Sequence, residues 1–152
     1  MPAGPVLLFS AHKADLNLND LLGVSLKLAL LTSAYTPNTA TSGHAVWADI
    51  STHEITAGNG YAAGGAALTG VAKTAIAGGF KLASDGVVWT ASGGPIPAWR
   101  YGVLYVAGSL WGVTNPLIGC FVGDATPDDK PATTAGNTLS VLCPADGWFD
   151  VT

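Results

Sequence analysis

Short apolar runs separated by glycine- and proline-rich turns recur along this chain, at the roughly 8–12-residue spacing of all-β sandwiches and small barrels. The 152 residues include 20 glycines and 9 prolines. Leu26–Thr32, Ala66–Lys73, Phe80–Leu82, Val87–Thr90, Trp99–Val106, Pro116–Val122 and Thr138–Cys143 read as strands, and Trp148–Val151 closes the chain. Ser84-Asp85-Gly86 and Pro144-Ala145-Asp146-Gly147 are turn signals. Ala45–Ile50 and His53–Thr56 are further short candidate segments. In Trp99–Val106 the residues Tyr101, Val103 and Tyr105 alternate with Gly102, Leu104 and Val106. Both faces are apolar, which places this strand at the centre of a sheet covered on both sides.

Helix signals are nearly confined to the first 25 residues. Met1–Pro5 reads as a loose arm, followed by the apolar run Val6–Phe9. Ser10–Leu22 is a candidate short helix with Ser10 as its N-cap. The expected architecture is mostly β: a single-domain antiparallel β-sandwich or jelly-roll-like barrel with an extended N-terminal arm. Residues 1–25 form the arm and candidate helix, and residues 26–152 the β domain.

Charge narrows the function classes. Only 11% of residues are charged and the net charge is −4, whereas globular chains carry about 25% charged residues. Six basic residues neutralise few phosphates, so neither a nucleic-acid partner nor a polybasic membrane patch is expected. The apolar stretch Leu21–Leu31 is broken by Ser25 and Lys27, too short to span a bilayer. Val6–Phe9 is too short for a secretory signal. The expected site of synthesis is the cytoplasm, where Cys120 and Cys143 are expected as thiols, although one disulfide is arithmetically open. A surface so poor in charge suits coverage by partners.

Motifs for chemistry fail on context. Gly58-Asn59-Gly60-Tyr61-Ala62-Ala63 matches a dinucleotide fingerprint in letters, but the glycine-rich residues after it do not make the required helix. His44, Asp49, His53 and Glu54 lack a zinc-site spacing. Asp124, Asp128 and Asp129 share a loop without the EF-hand order, leaving calcium binding there open. Cys120 lies in an apolar strand, where a thiol is unreactive. No catalytic, cofactor or metal residue is assigned. Arg100, the only arginine, reads either as an anchor for a partner carboxylate or as an edge cation holding a local aspartate. Trp111, in a loop, reads either as an interface anchor or as a lid on the core.

Six segments, in order, resemble small β-rich structural proteins encoded by tailed bacteriophages. They are Leu26–Asn38, Trp47–Gly70, Ser84–Ser92, Trp99–Gly108, Asn115–Asp124 and Gly136–Val151. The most specific stretch is Glu54…Gly60-Tyr61…Gly64-Gly65…Leu68, and Arg100-Tyr101 and Pro116–Gly119 follow in the expected order. The first 25 residues match less well, and Cys120 and Cys143 are not part of the pattern. The resemblance implies a non-enzymatic virion component, most simply a capsid decoration protein. Its partner is then the major capsid protein, and it forms a homo-oligomer, with a trimer favoured. Candidate contact residues are Val6, Leu7, Leu8 and Phe9 of the arm, with Arg100 and Trp111. The alternatives are a tail, neck or fibre-base protein, and a surface carbohydrate-binding module using tryptophans as platforms.

Overall fold

The strand that is apolar on both faces lies mid-sheet, and the rest of the molecule is layered on it. In the computed structural model, which describes residues 5–124 and 128–152, the strands in chain order are β1 (Leu7–Leu8), β2 (Leu26–Leu31), β3 (Ala66–Ala67), β4 (Ala72–Ile76), β5 (Gly79–Ala83), β6 (Val87–Thr90), β7 (Tyr101–Val106), β8 (Ser109–Leu110), β9 (Val113–Thr114), β10 (Leu117–Val122), β11 (Thr138–Val141) and β12 (Phe149–Val151). The main sheet has five strands in the order β1-β10-β7-β2-β3. A three-stranded sheet β12-β5-β4, a pair β11-β6 and a small hairpin β8-β9 complete the molecule. All pairings between these strands are antiparallel.

Period-two alternation sorts the main sheet's side chains into two cores. Leu26, Leu28 and Leu30 of β2, Leu104 and Val106 of β7, and Phe121 of β10 pack toward the smaller sheets, against Leu82, Val87, Trp89, Val141 and Trp148. Ala29, Leu31, Val103, Leu117 and Cys120 face the other way, toward Tyr35 and Ile50 of the long segment between β2 and β3. That segment carries two short 3-10 turns, Trp47–Asp49 and Ser51–His53, where the sequence suggests extended segments. Asp49 explains the first of them: its Oδ2 accepts from the Ala45 and Val46 backbone N–H groups. The main sheet is thus buried on both faces, as the β7 pattern requires.

Mostly antiparallel β structure in packed layers is the expected class, but the sheet does not close into a barrel: its order runs from β1 to β3 without return. The N-terminal expectation needs a larger correction. Val6–Phe9 is not a free arm. Leu7 and Leu8 pair with Cys120 and Gly119 as the edge strand β1, and the Phe9 N–H donates to the Ile118 carbonyl. Phe9 is buried in the core. A phenylalanine with a strand edge in reach gains more from burial and pairing than from solvent. The candidate helix also shrinks. Ser10–His12 is a 3-10 turn, and the helix α1 is only Leu18–Leu22, capped by the Asn17 side chain accepting from the Asn19 N–H. The expected strand Ala66–Lys73 divides into β3 and the start of β4 around Gly70, whose φ is +62°.

Candidate functional site

The stretch most specific to the phage resemblance folds into a hydrogen-bonded node beside β2. β3 pairs only with Lys27 and Leu28, so the backbone of Leu30 needs other partners. Its carbonyl accepts from the Ile55 N–H. Its N–H donates to the Tyr61 hydroxyl at 2.9 Å. That hydroxyl in turn donates to Glu54 Oε1 at 2.8 Å. The same carboxylate oxygen accepts from the Gly64 N–H at 2.7 Å, and the Gly64 carbonyl accepts from the Tyr105 hydroxyl at 2.7 Å. Trp47 lies flat on Tyr105, with ring centroids 4.6 Å apart. Gly65 completes the node: its φ is +76°, and a Cβ there would stand 2.0 Å from the Leu28 carbonyl oxygen. Glu54, Tyr61, Gly64 and Gly65 are therefore scaffold residues that fasten the glycine loop to β2 and β7.

Burial holds the node's phenols neutral. The Tyr61 hydroxyl is driven far above its ordinary pKa, first by burial and then by Glu54. Tyr105 is pushed up to about 12, again by burial and then by Glu54. A protonated phenol is the form that can donate to the carboxylate, so the shift and the bonding reinforce each other.

The six candidate contact residues separate into different environments. Leu7, on the edge strand, is 57% exposed. Val6 and Leu8 are partly buried against the core, and Phe9 is buried. Arg100 takes the local option: its Nε donates to Asp129 Oδ1 at 2.8 Å. Trp111 folds back, its indole N–H donating to Asp20 Oδ2 at 3.1 Å and its ring 5.9 Å from that of His12. It packs against the main core as a lid. Only Leu7 among the six presents a large apolar side chain to solvent. Trp89, Trp99 and Trp148 are core residues.

The motifs of doubtful chemistry resolve as follows. Gly58 and Tyr61 exchange both backbone hydrogen bonds in a tight turn, and the next regular element is the strand β3 rather than a helix. His44 and His53 both flank the Tyr35 ring, at 5.5 and 5.8 Å. Among the described residues no three His, Cys, Asp or Glu side chains converge as a metal set. The Asp124–Asp129 loop includes residues 125–127, which lie outside the described residues; Lys130 reaches Asp124 at 3.4 Å. Cys120 and Cys143 are free thiols, and burial pushes Cys120 up to about 11. No helix among the described residues is long and apolar enough to cross a membrane.

Exposed apolar side chains that sequence reasoning missed include Phe80 and Val151 on β5 and β12, 46% and 41% exposed, and Val88 and Leu142, 58% and 44% exposed. For Phe80 the available signal was the absence of any charge from Thr74 to Phe80. Comparison with protein-family models, curated proteins and solved structures yields no match to this chain.

Proposed function

We propose that this chain is a non-enzymatic structural protein of a tailed-phage virion, a decoration protein that binds the outer surface of the head at subunit junctions and stabilises it. The major capsid protein is then its partner, and it acts as a homo-oligomer, with a trimer favoured. One observation carries the reading. The residues that most specifically resemble phage structural proteins, Glu54, Tyr61, Gly64 and Gly65, spend their polar groups on holding the fold together. A family signature made of scaffold residues fits a protein whose product is its shape and surface. The low charge supports the same reading, since surfaces covered by partners are depleted of charge at their centres.

Because Leu7–Leu8 form the edge strand β1 and Phe9 is buried, the contribution of Val6–Phe9 to docking is local: Leu7 faces the partner, without a reaching arm. A cryo-EM reconstruction of the particle made by the virus that encodes this chain tests the proposal. Density over threefold or quasi-threefold capsid junctions is the expected result. Density confined to neck or tail would move the protein to that part of the virion, and its absence from the particle would overturn the structural role.

A further inference from the structure

The tip of the glycine loop has a second fastening, separate from the node around Glu54. Gly58 and Tyr61 exchange both backbone hydrogen bonds, and between them Asn59 and Gly60 have φ of +56° and +99°. A two-residue turn of this kind needs left-handed backbone at both central positions, and Asn-Gly supplies it most readily. Position 60 has room only for glycine: a Cβ there would stand 2.0 Å from the Thr90 carbonyl oxygen. The turn is tied at Asn59 to the loop of residues 92–95. The Asn59 carbonyl accepts from the Ser92 N–H at 3.1 Å. The Asn59 Nδ2 donates to the Pro95 carbonyl at 3.0 Å. Gly94 lies against the same amide, so close that a Cβ at Gly94 would stand 2.8 Å from Nδ2.

Asn-Gly is also a labile pair in peptide chemistry, because a glycine nitrogen reaches the preceding asparagine Cγ without side-chain hindrance. Asn59-Gly60 is the only Asn-Gly pair in this chain. Both residues are exposed, and among the described residues the Gly60 N–H makes no hydrogen bond. The nucleophile and water are therefore free, while the amide it would attack is held on Pro95. The turn thus joins a reactive pair to a clamp on one of its two members.

We propose that Asn59 is a self-modification site that the clamp keeps unreactive, and that its reaction detaches the turn permanently. When the clamp opens, the Gly60 nitrogen bonds to Asn59 Cγ and the Cγ–Nδ2 bond breaks. The Gly60 N–H proton passes through water to Nδ2, which leaves as ammonia. The five-membered imide that remains takes up one water at either carbonyl and opens to aspartate or isoaspartate. No oxidant or reductant takes part. Both products lack the Nδ2 donor. An ionised carboxylate only accepts hydrogen bonds, so it has no bond to make with the Pro95 carbonyl and the clamp does not re-form. The Glu54 node is untouched, so the fold persists while the loop of residues 92–95 is released. The inference stands independently of the virion reading.

Mass-spectrometric peptide mapping of the full chain, incubated in buffer and in urea, tests it. In urea, residue 59 is expected to convert faster than any other asparagine. In buffer, its conversion is expected to be slower by about tenfold or more, because two hydrogen bonds must open together. Gly94→Ala presses a methyl group onto the amide. With folding confirmed by thermal melts, it is expected to raise the rate in buffer toward that in urea. Asn59→Asp reproduces one product. It is expected to speed hydrogen exchange at the Ser92 N–H and to leave the Ile96 N–H, bonded to the Thr133 carbonyl, as in wild type. Absence of conversion at residue 59 in urea would overturn the site. Equal rates in buffer and urea, or a folded G94A chain that converts as slowly as wild type, would overturn the clamp. A folded N59D chain whose Ser92 N–H exchanges as slowly as wild type would overturn the detachment.

Discussion

The Tyr61 hydroxyl both donates and accepts, linking Glu54 to the Leu30 backbone. Tyr61→Phe keeps the ring in the core but leaves a buried strand N–H without its partner. Such a loss costs about 1–3 kcal/mol, and denaturant unfolding should show it as a lower midpoint with an unchanged slope. An unchanged midpoint would mean that the node contributes little to holding β2. Gly65 is constrained differently. Alanine there meets both the left-handed backbone at φ +76° and the Leu28 carbonyl oxygen. Gly65→Ala is expected to destabilise by roughly 2–4 kcal/mol, more than Tyr61→Phe, and the same unfolding curves rank the two. Neither role was legible beforehand. Glycine richness announced positive φ in general, but which glycine faces a neighbouring carbonyl depends on long-range packing. Likewise, nothing local reveals that Tyr61 reaches a strand 31 residues earlier.

Among the elements, β7 was the most legible, because alternation that is apolar on both faces admits few placements other than the middle of a covered sheet. The N-terminal element was the least legible. Four apolar residues after a proline-rich start fit an arm as well as an edge strand, and the choice depends on whether β10 has a free edge, which the sequence does not display. The two descriptions predict different mutants. In an edge strand that feeds Phe9 into the core, Phe9→Ala should cost about 3–5 kcal/mol, while Leu7→Ala should stay within about 0.5 kcal/mol. Equilibrium unfolding of the two variants distinguishes them. A Phe9→Ala protein as stable as wild type would restore the free arm. Trp111 and Arg100 teach a related lesson. Their residue types suit interface anchors, but Asp20 and Asp129 lie within reach and satisfy them locally.

At the scale of the whole molecule, the layers themselves set a pH limit. Burying the main sheet on both faces places three phenols at its margins: Tyr35, packed over one face beside Tyr101, and Tyr61 and Tyr105 at the node. Burial raises all three above the ordinary value of 10, with Cys120 and then Tyr101 adding to the effect at Tyr35. The unfolded chain therefore releases these protons first as the solution becomes alkaline. Above about pH 10 the folded state holds more protons than the unfolded state, so stability falls as pH rises. The contribution of each phenol is fully present below pH 10 and is lost through its folded pKa, which for Tyr105 is about 12. Cys120, raised to about 11 by burial, acts in the same direction from a lower starting point. Urea midpoints measured at increasing pH should hold steady in the neutral range and drop steeply between about pH 10 and 12. Tyrosinate absorbance should rise together with the loss of folded signal. Tyr61→Phe, with one shifted phenol fewer, should show a shallower alkaline slope from its lower starting stability. Tyrosines that titrate near 10 while the protein stays folded would show that water reaches these hydroxyls, and that the layers are looser than their packing implies.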